Sequence, residues 1–368
     1  MRRVLVLGGY GAFGARVAER LAREDGLELV VAGRSLERAE EFARRLAATA
    51  HASIVPACLD AGKITACELT PWKPDLLINA SGPYQARDYH VPRACIAAGV
   101  HYVDLADARG FVTGIGGLDA EARRADVLVV SGASTVPALS AAVVDAHAPQ
   151  LAALASVSIV ISPGNSFDPG LATTQSILST LGRPFSATAS AGNTARHGWQ
   201  ELRRRHIPGL GPRWLGACDT PDLALFPGRY PGLGKVEVFA ALEVGAFHLG
   251  LWALSWLVRG GLVRKPERLA APLLAAKRAM RFLGSDVGGM AVTLEGTDQL
   301  GAPKRIEWRL IAKRGHGPYI PATPSVILAK RLLAGTLMAR GAMPCLGLFT
   351  LEDFLAEVAD LDIVGEAP

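Results

Sequence analysis

Residues 4–14, Val-Leu-Val-Leu-Gly-Gly-Tyr-Gly-Ala-Phe-Gly, are followed one helix and one strand later by Gly33-Arg34-Ser35. The run Val4 to Leu7 is short, continuous, apolar and partly β-branched, as a buried parallel strand should be. Gly9-Tyr10-Gly11-Ala12-Phe13-Gly14 then fits G-x-G-x-x-G, and Ala15 to Ala22 continues with Val17, Ala18 and Leu21 on one helical side. Strand, glycine turn and helix in that order open a dinucleotide-binding fold. The pattern assigns the tight turn to Gly9, close approach of a pyrophosphate to Gly11, and helix–strand contact to Gly14. Free amides of the first helical turn, around Ala12 and Phe13, would meet the phosphates, with Tyr10 in the same loop.

The second strand, Leu27 to Val31, ends in Ala32-Gly33-Arg34-Ser35, with Arg38 one turn into the next helix. A site selective for NAD usually carries Asp or Glu at this tip, holding the ribose 2′-OH. A guanidinium instead pairs with phosphate oxygens, and a serine hydroxyl adds a donor. The expected cofactor is therefore NADP(H), with Gly33, Arg34, Ser35 and Arg38 at its 2′-phosphate.

Further strand ends follow at regular intervals. Ser53 to Leu59 leads to Asp60, placed to meet an adenine edge, and Asp75 to Asn79 leads to Ala80-Ser81-Gly82-Pro83-Tyr84. The small residues Ala80, Ser81 and Gly82 allow a cofactor close approach. His101 to Leu105 and Val127 to Val130 are the next strands, the latter ending in Ser131 to Pro137. In such sheets ligands bind at the carboxyl ends of the strands. Beyond Ser156 the alternation changes. A strand to Ile161, a helix over 169–181, a Gly/Pro-rich irregular stretch over 208–234 and a strand over 235–242 precede a hairpin of 290–295 with 304–312. The end reads as helices over 324–333 and 351–358.

The fold class expected is α/β. A Rossmann-type doubly wound parallel sheet occupies 1–140, and a mixed α/β substrate and dimerisation domain with an antiparallel sheet occupies 141–322. C-terminal helices over 323–368 return to the first domain. A composition 50% hydrophobic and 20% charged belongs to a globular chain, and 368 residues leave room for two domains. The net charge of +5 is spread along the sequence. The dense cluster Arg203-Arg204-Arg205-His206 reads as a solvated helix end or an anion contact, and nucleic acid is not an expected partner. Five cysteines without C-x-x-C argue for a reducing, cytoplasmic setting, with neither a disulfide framework nor a metal site. Nothing N-terminal resembles a signal peptide, since the first strand is expected to begin by Arg3 or Val4. The apolar run 244–258 is shorter than the ~20 residues a bilayer span takes. It reads as a buried or subunit-interface helix in preference to a peripheral membrane contact.

With those residues in view, the chain resembles the saccharopine dehydrogenase/reductase-like family of NADP-dependent oxidoreductases. The resemblance rests on residues 8–14, 32–35, 78–84 and 102–105, continues through 132–137, and returns at Gly341-Ala342-Met343-Pro344-Cys345-Leu346-Gly347. It implies a small-molecule substrate, a homodimer and reversible oxidation of a secondary amine through an imine. Such a substrate needs little acid catalysis, in keeping with the lack of a conspicuous Ser-Tyr-Lys or His-Asp set. The candidate catalytic residues are Tyr84, whose phenol would reach the nicotinamide, and Asp107, which with Asp104 brackets a strand end and would steer a cationic amine. Packing for Tyr84 and helix capping for the aspartates are the competing readings. His101 reads as a satisfied buried histidine. Ser134, Thr135, Arg196, His197 and the 203–206 cluster are weaker substrate contacts. Two other functions fit the same scaffold: an enoyl or carbonyl reductase, and a non-catalytic NADP-binding sensor or scaffold.

Overall fold

The computed structural model describes residues 2–186 and 195–366. Its strands, in chain order, are β1 (Arg2–Leu7), β2 (Leu27–Gly33), β3 (Ser53–Cys58), β4 (Leu76–Asn79), β5 (His101–Asp104) and β6 (Leu128–Ser131). They continue with β7 (Ala153–Ser162), β8 (Pro184–Ser186), β9 (Ala195–His197), β10 (Arg203–Ile207), β11 (Gly211–Ala217) and β12 (Lys235–Ala240). The last are β13 (Gly288–Thr297), β14 (Pro303–Ala312), β15 (Gly341–Pro344) and β16 (Ile363–Glu366). The chain divides into two compact units, Met1–Leu139 with Pro318–Phe349, and Ser140–Gly317 with Thr350–Pro368.

The first unit holds a seven-stranded sheet in the order β15-β6-β5-β4-β1-β2-β3, every pair parallel. Six of these strands follow the 3-2-1-4-5-6 order of a doubly wound dinucleotide fold, which reverses between β1 and β4. Val4 to Leu7, Leu29 to Ala32 and Leu76 to Ile78 are all but inaccessible to solvent, because helices cover both faces of a parallel sheet. Strand ends are in register: Leu7 lies opposite Ala32 and Asn79, and Asn79 lies opposite Asp104.

The seventh strand, β15, stands where the sequence pattern implies only closing helices. Gly341 has φ +103°, and a Cβ there would lie 2.1 Å from Asp119 Oδ1. That carboxylate accepts from the Ala342 amide, and the Cys345 amide donates to Ser131 O, so β15 is tied to the sheet at both ends.

The second unit is built on a mixed sheet in the order β10-β11-β12-β7-β13-β14-β16. The expected hairpin is present as β13 and β14, paired antiparallel over ten residues. β12 joins β7 in parallel, because the long connection between them leaves room for a crossover. Three expectations are corrected here. The 208–234 stretch contains β11 and the helix Asp222–Arg229. Arg203 to His206 form an edge strand, β10, not a helix end. Residues 350–368 belong to the second unit, where β16 pairs antiparallel with β14 and extends its sheet.

Candidate functional site

The loops at the carboxyl ends of β1, β2, β4, β5 and β6 form the site of the first unit. After β1 the turn is made by Gly8, with φ +79°, and the amides of Gly8 and Gly9 both donate to Ala32 O. This corrects the assignment of the tight turn to Gly9. A Cβ on Gly9 would instead meet Val6 O at 2.8 Å and Val31 Cγ1 at 2.9 Å. Gly14 opens the helix Gly14–Leu21, and a Cβ there would lie 2.2 Å from Gly8 O. The helix thus starts later than Ala12 and Phe13, which lie in the turn before it. The Ala12 amide has no hydrogen-bond acceptor among the described residues.

Tyr10 organises the tip of β2. Its hydroxyl accepts from the Ser35 amide at 2.9 Å, and the Arg38 guanidinium stacks over its ring at 4.9 Å. Only a glycine fits beneath that ring: a Cβ on Gly33 would lie 2.5 Å from it. Ser35 caps the helix Leu36–Ala47, its Oγ accepting from the Arg38 amide. Arg34 is exposed, and its guanidinium has no carboxylate partner among the described residues. Asp60 turns its Oδ1 back onto the Gly62 amide, so it braces the loop after β3.

Beyond β4, Asn79 is a buried hub that the sequence pattern does not single out. Its Oδ1 accepts from the amide and hydroxyl of Ser81, and its Nδ2 donates to the Tyr102 hydroxyl. Ala80 touches the glycine turn, its carbonyl oxygen 3.0 Å from where a Gly8 Cβ would stand. Tyr84 is 6% exposed, and its hydroxyl donates to Asn79 O at 2.6 Å. Burial, reinforced by Asp104, drives its pKa well above the usual phenol value. Through that bond Tyr84 ties the 79–84 loop to the end of β4, the packing role that competes with a catalytic one. Asp107 is half-buried and accepts from Gln85 Nε2 at 3.2 Å.

Asp104 is fully buried at the end of β5. Its Oδ1 accepts from the amides of Ala106 and Gly132 and from the Ser131 hydroxyl, joining β5 to β6. Among the described residues its Oδ2 has no hydrogen-bond partner. Burial pushes the carboxyl up to about 6, outweighing those three donors. An acid whose pKa is higher folded than unfolded adds stability below the unfolded value and loses it as pH rises through the folded one. From 3.8 to about 6 the loss amounts to about 3 kcal/mol. Asp104→Asn keeps an acceptor for the three donors and should remove that share of the decline between roughly pH 4 and pH 7. Urea denaturation across this range measures it; an unchanged slope would show that Asp104 does not titrate there. Asp222 of the second unit, also buried and pushed up to about 6, supplies a slope that persists in the variant.

His101 Nδ1 accepts from the Leu128 amide, the satisfied histidine expected, and Ser134 and Thr135 are buried in the turn after β6. In the second unit Arg196 and Arg203 pair with Glu201 and Glu237, and Arg205 pairs with Glu307. Those arginines are neutralised locally, which leaves them poor candidates for a substrate carboxylate. Among the described residues no group of His, Cys, Asp and Glu is arranged to hold a metal ion. Among the described residues none of the five cysteines is in a disulfide.

The cradle suits a dinucleotide. Backbone approaches backbone so closely at Gly9 and Gly14 that side chains are excluded, and among the described residues the Ala12 amide has no acceptor and the Arg34 cation at the tip of β2 no carboxylate. Residues 4–150 match the family described as the saccharopine dehydrogenase NADP binding domain. The fold of the whole chain is similar to that of apo saccharopine dehydrogenase (L-Glu forming) from Saccharomyces cerevisiae. The TM-score is 0.67 at 13% identity, over 100% of both chains. An amine dehydrogenase from Mycobacterium smegmatis is similar at TM-score 0.50 and 14% identity, over 94% of each chain. No curated protein matches the sequence.

Proposed function

We propose, on the premise that residues 4–150 belong to the saccharopine dehydrogenase NADP binding domain family, that this chain is an NADP(H)-dependent oxidoreductase acting on a C–N bond of an amino-acid-derived substrate. The observation that carries the choice of cofactor is the tip of β2. Arg34 stands there exposed and without a carboxylate partner among the described residues, and no Asp or Glu occurs from Ala32 to Leu36. When bound, the nicotinamide supplies or accepts the hydride. The chain's own part is to bind and orient. Gly8 to Gly14 admit the diphosphate to the backbone, Arg34 and Ser35 meet the 2′-phosphate, and Ala80 to Gly82 form a wall that the Asn79 hub holds still. Asp107 is the carboxylate we assign to steering a cationic nitrogen.

The C–N bond is supported by the reactions named for the two structural relatives, saccharopine and amine dehydrogenases. Paired amines and α-keto acids, screened for NADPH consumption, test it. Asp107→Asn is expected to raise KM for the amine about tenfold, the equivalent of one charge-assisted contact. Tyr84→Phe should leave kcat within about twofold, because the phenol makes no contact that a transition state alone would feel. Turnover of enoyl thioesters or simple carbonyls, with none of amine pairs, would replace the C–N assignment. Tight NADPH binding without turnover of any of them would mark a sensor or scaffold.

A further inference from the structure

The helix Gly245–Arg259 of the second unit is apolar around its circumference, yet only one side of it is covered. His248, Leu251, Ser255 and Val258, three and four residues apart, form the inner side. His248 and Ser255 are fully buried, while Leu251 and Val258 pack with Leu178, Leu181 and Trp199. The other side, Ala246, Leu249, Gly250, Ala253, Trp256 and Leu257, is exposed, with Trp256 47% accessible. This corrects the buried half of the expectation of a buried or subunit-interface helix in preference to a peripheral membrane contact. A helix facing water on that side ordinarily carries charge there, and this one has none before Arg259. Apolar exposure continues along the chain at Leu262 and Phe282, 78% and 75% accessible.

Charge follows immediately. Between Arg259 and Arg281 the only acidic residue is Glu267, and Arg183 already pairs with it. Arg264, Lys265, Arg268 and Arg281 are exposed and have no carboxylate partner among the described residues. At the C-terminal end of the helix lies a cleft of about 540 Å³, lined by Arg183, His197, Arg259 and Arg264 together with Val258 and Val263. Arg259 also lies over the exposed Trp256 ring, 5.1 Å from its centre.

We propose that this face docks the protein on an anionic phospholipid surface. The outward side of helix 245–259 enters the headgroup–acyl boundary, and the basic cleft receives a phosphate headgroup. Trp and Leu beside unpaired cations suit that boundary, where the ring sits at headgroup level and each cation adds attraction to the surface. Charge complementarity selects the occupant. A second copy meeting the face would offer these cations no carboxylate from the same stretch, whose one acid, Glu267, is already paired with Arg183; an anionic bilayer neutralises them. Contact is superficial, since among the described residues no helix is long and apolar enough to cross a membrane.

Sedimentation of the full chain with vesicles tests the proposal. Vesicles of phosphatidylcholine with phosphatidylserine should bind at least about tenfold more strongly than phosphatidylcholine alone, the difference shrinking as salt is added. Trp256→Ser with Leu257→Ser should lower binding about tenfold or more, through loss of inserted apolar surface. Arg264→Glu with Lys265→Glu should abolish the preference for phosphatidylserine. All four side chains are exposed, so the variants should unfold at the parent temperature. Equal failure to bind both vesicles would overturn the proposal. So would a dimer in light scattering that Trp256→Ser with Leu257→Ser dissociates, since the face would then belong to a second copy.

Discussion

Gly14→Ala is expected to lower NADPH affinity at least about 100-fold and to destabilise the first unit by about 1–3 kcal/mol, as overpacking does. The added Cβ would lie 2.2 Å from Gly8 O, 2.8 Å from Gly8 C and 3.0 Å from Gly9 Cα, all of them backbone atoms. No side chain can turn aside to make room. Relief requires the helix Gly14–Leu21 to withdraw by roughly 1 Å, and a displacement of that size at a reacting or binding group costs on the order of 100-fold. Gly11→Ala is the informative contrast. Its Cβ would have a single near neighbour, Gly8 O at 3.0 Å, a tight but lone contact, so the unfolding temperature without cofactor should fall less than in Gly14→Ala. Affinity should still fall about tenfold or more if the pyrophosphate lies against Gly11, where a methyl group would hold it away. Thermal unfolding and fluorescence titration of the two variants separate the effects. Wild-type affinity in Gly11→Ala would show that the diphosphate lies elsewhere.

Arg34→Ala should weaken NADPH roughly tenfold to a hundredfold, the loss of about 1.5–3 kcal/mol of charge-assisted hydrogen bonding, and leave NADH nearly unchanged. The folded protein should not notice the change, because the Arg34 side chain is exposed and forms no ion pair among the described residues. Arg38→Ala should have a smaller effect on affinity, since its guanidinium already lies over the Tyr10 ring. Fluorescence titration with both nucleotides decides the matter. An equal loss for NADPH and NADH would mean that Arg34 acts on something common to the two, and the assignment of the 2′-phosphate to this tip would fail.

The features legible in the order of residues are local ones. β1, the glycine turn and β2 lie within about one strand–helix–strand unit, where spacing and residue type together carry the geometry. Even there the glycine pattern misplaces the turn by one residue: the positive φ belongs to Gly8, because the chain must turn back toward Ala32 directly after Leu7. Tyr10 falls in the loop by spacing alone, but its function of joining Gly33, Ser35 and Arg38 needs two strands side by side. β15 lies in a stretch that carries the family resemblance but does not read as a strand, because four residues beginning at a glycine have too little periodicity to register. The helix over 245–259 is legible as a helix. Its exposed side is not, because an all-apolar pattern implies burial on every side and does not say which sides have neighbours.

The sequence by itself determined the dinucleotide fold, the cradle of glycines and the cation at the tip of β2, since each depends on residues near one another in the chain. Only the tertiary structure decided which side chains around that cradle are available for chemistry. The Tyr84 hydroxyl is engaged by Asn79 O, and Asp104 is a buried brace through Ser131 and Gly132. Burial and hydrogen-bond partnership are set by whatever folding brings alongside, and a residue's type and position in the chain do not contain that information.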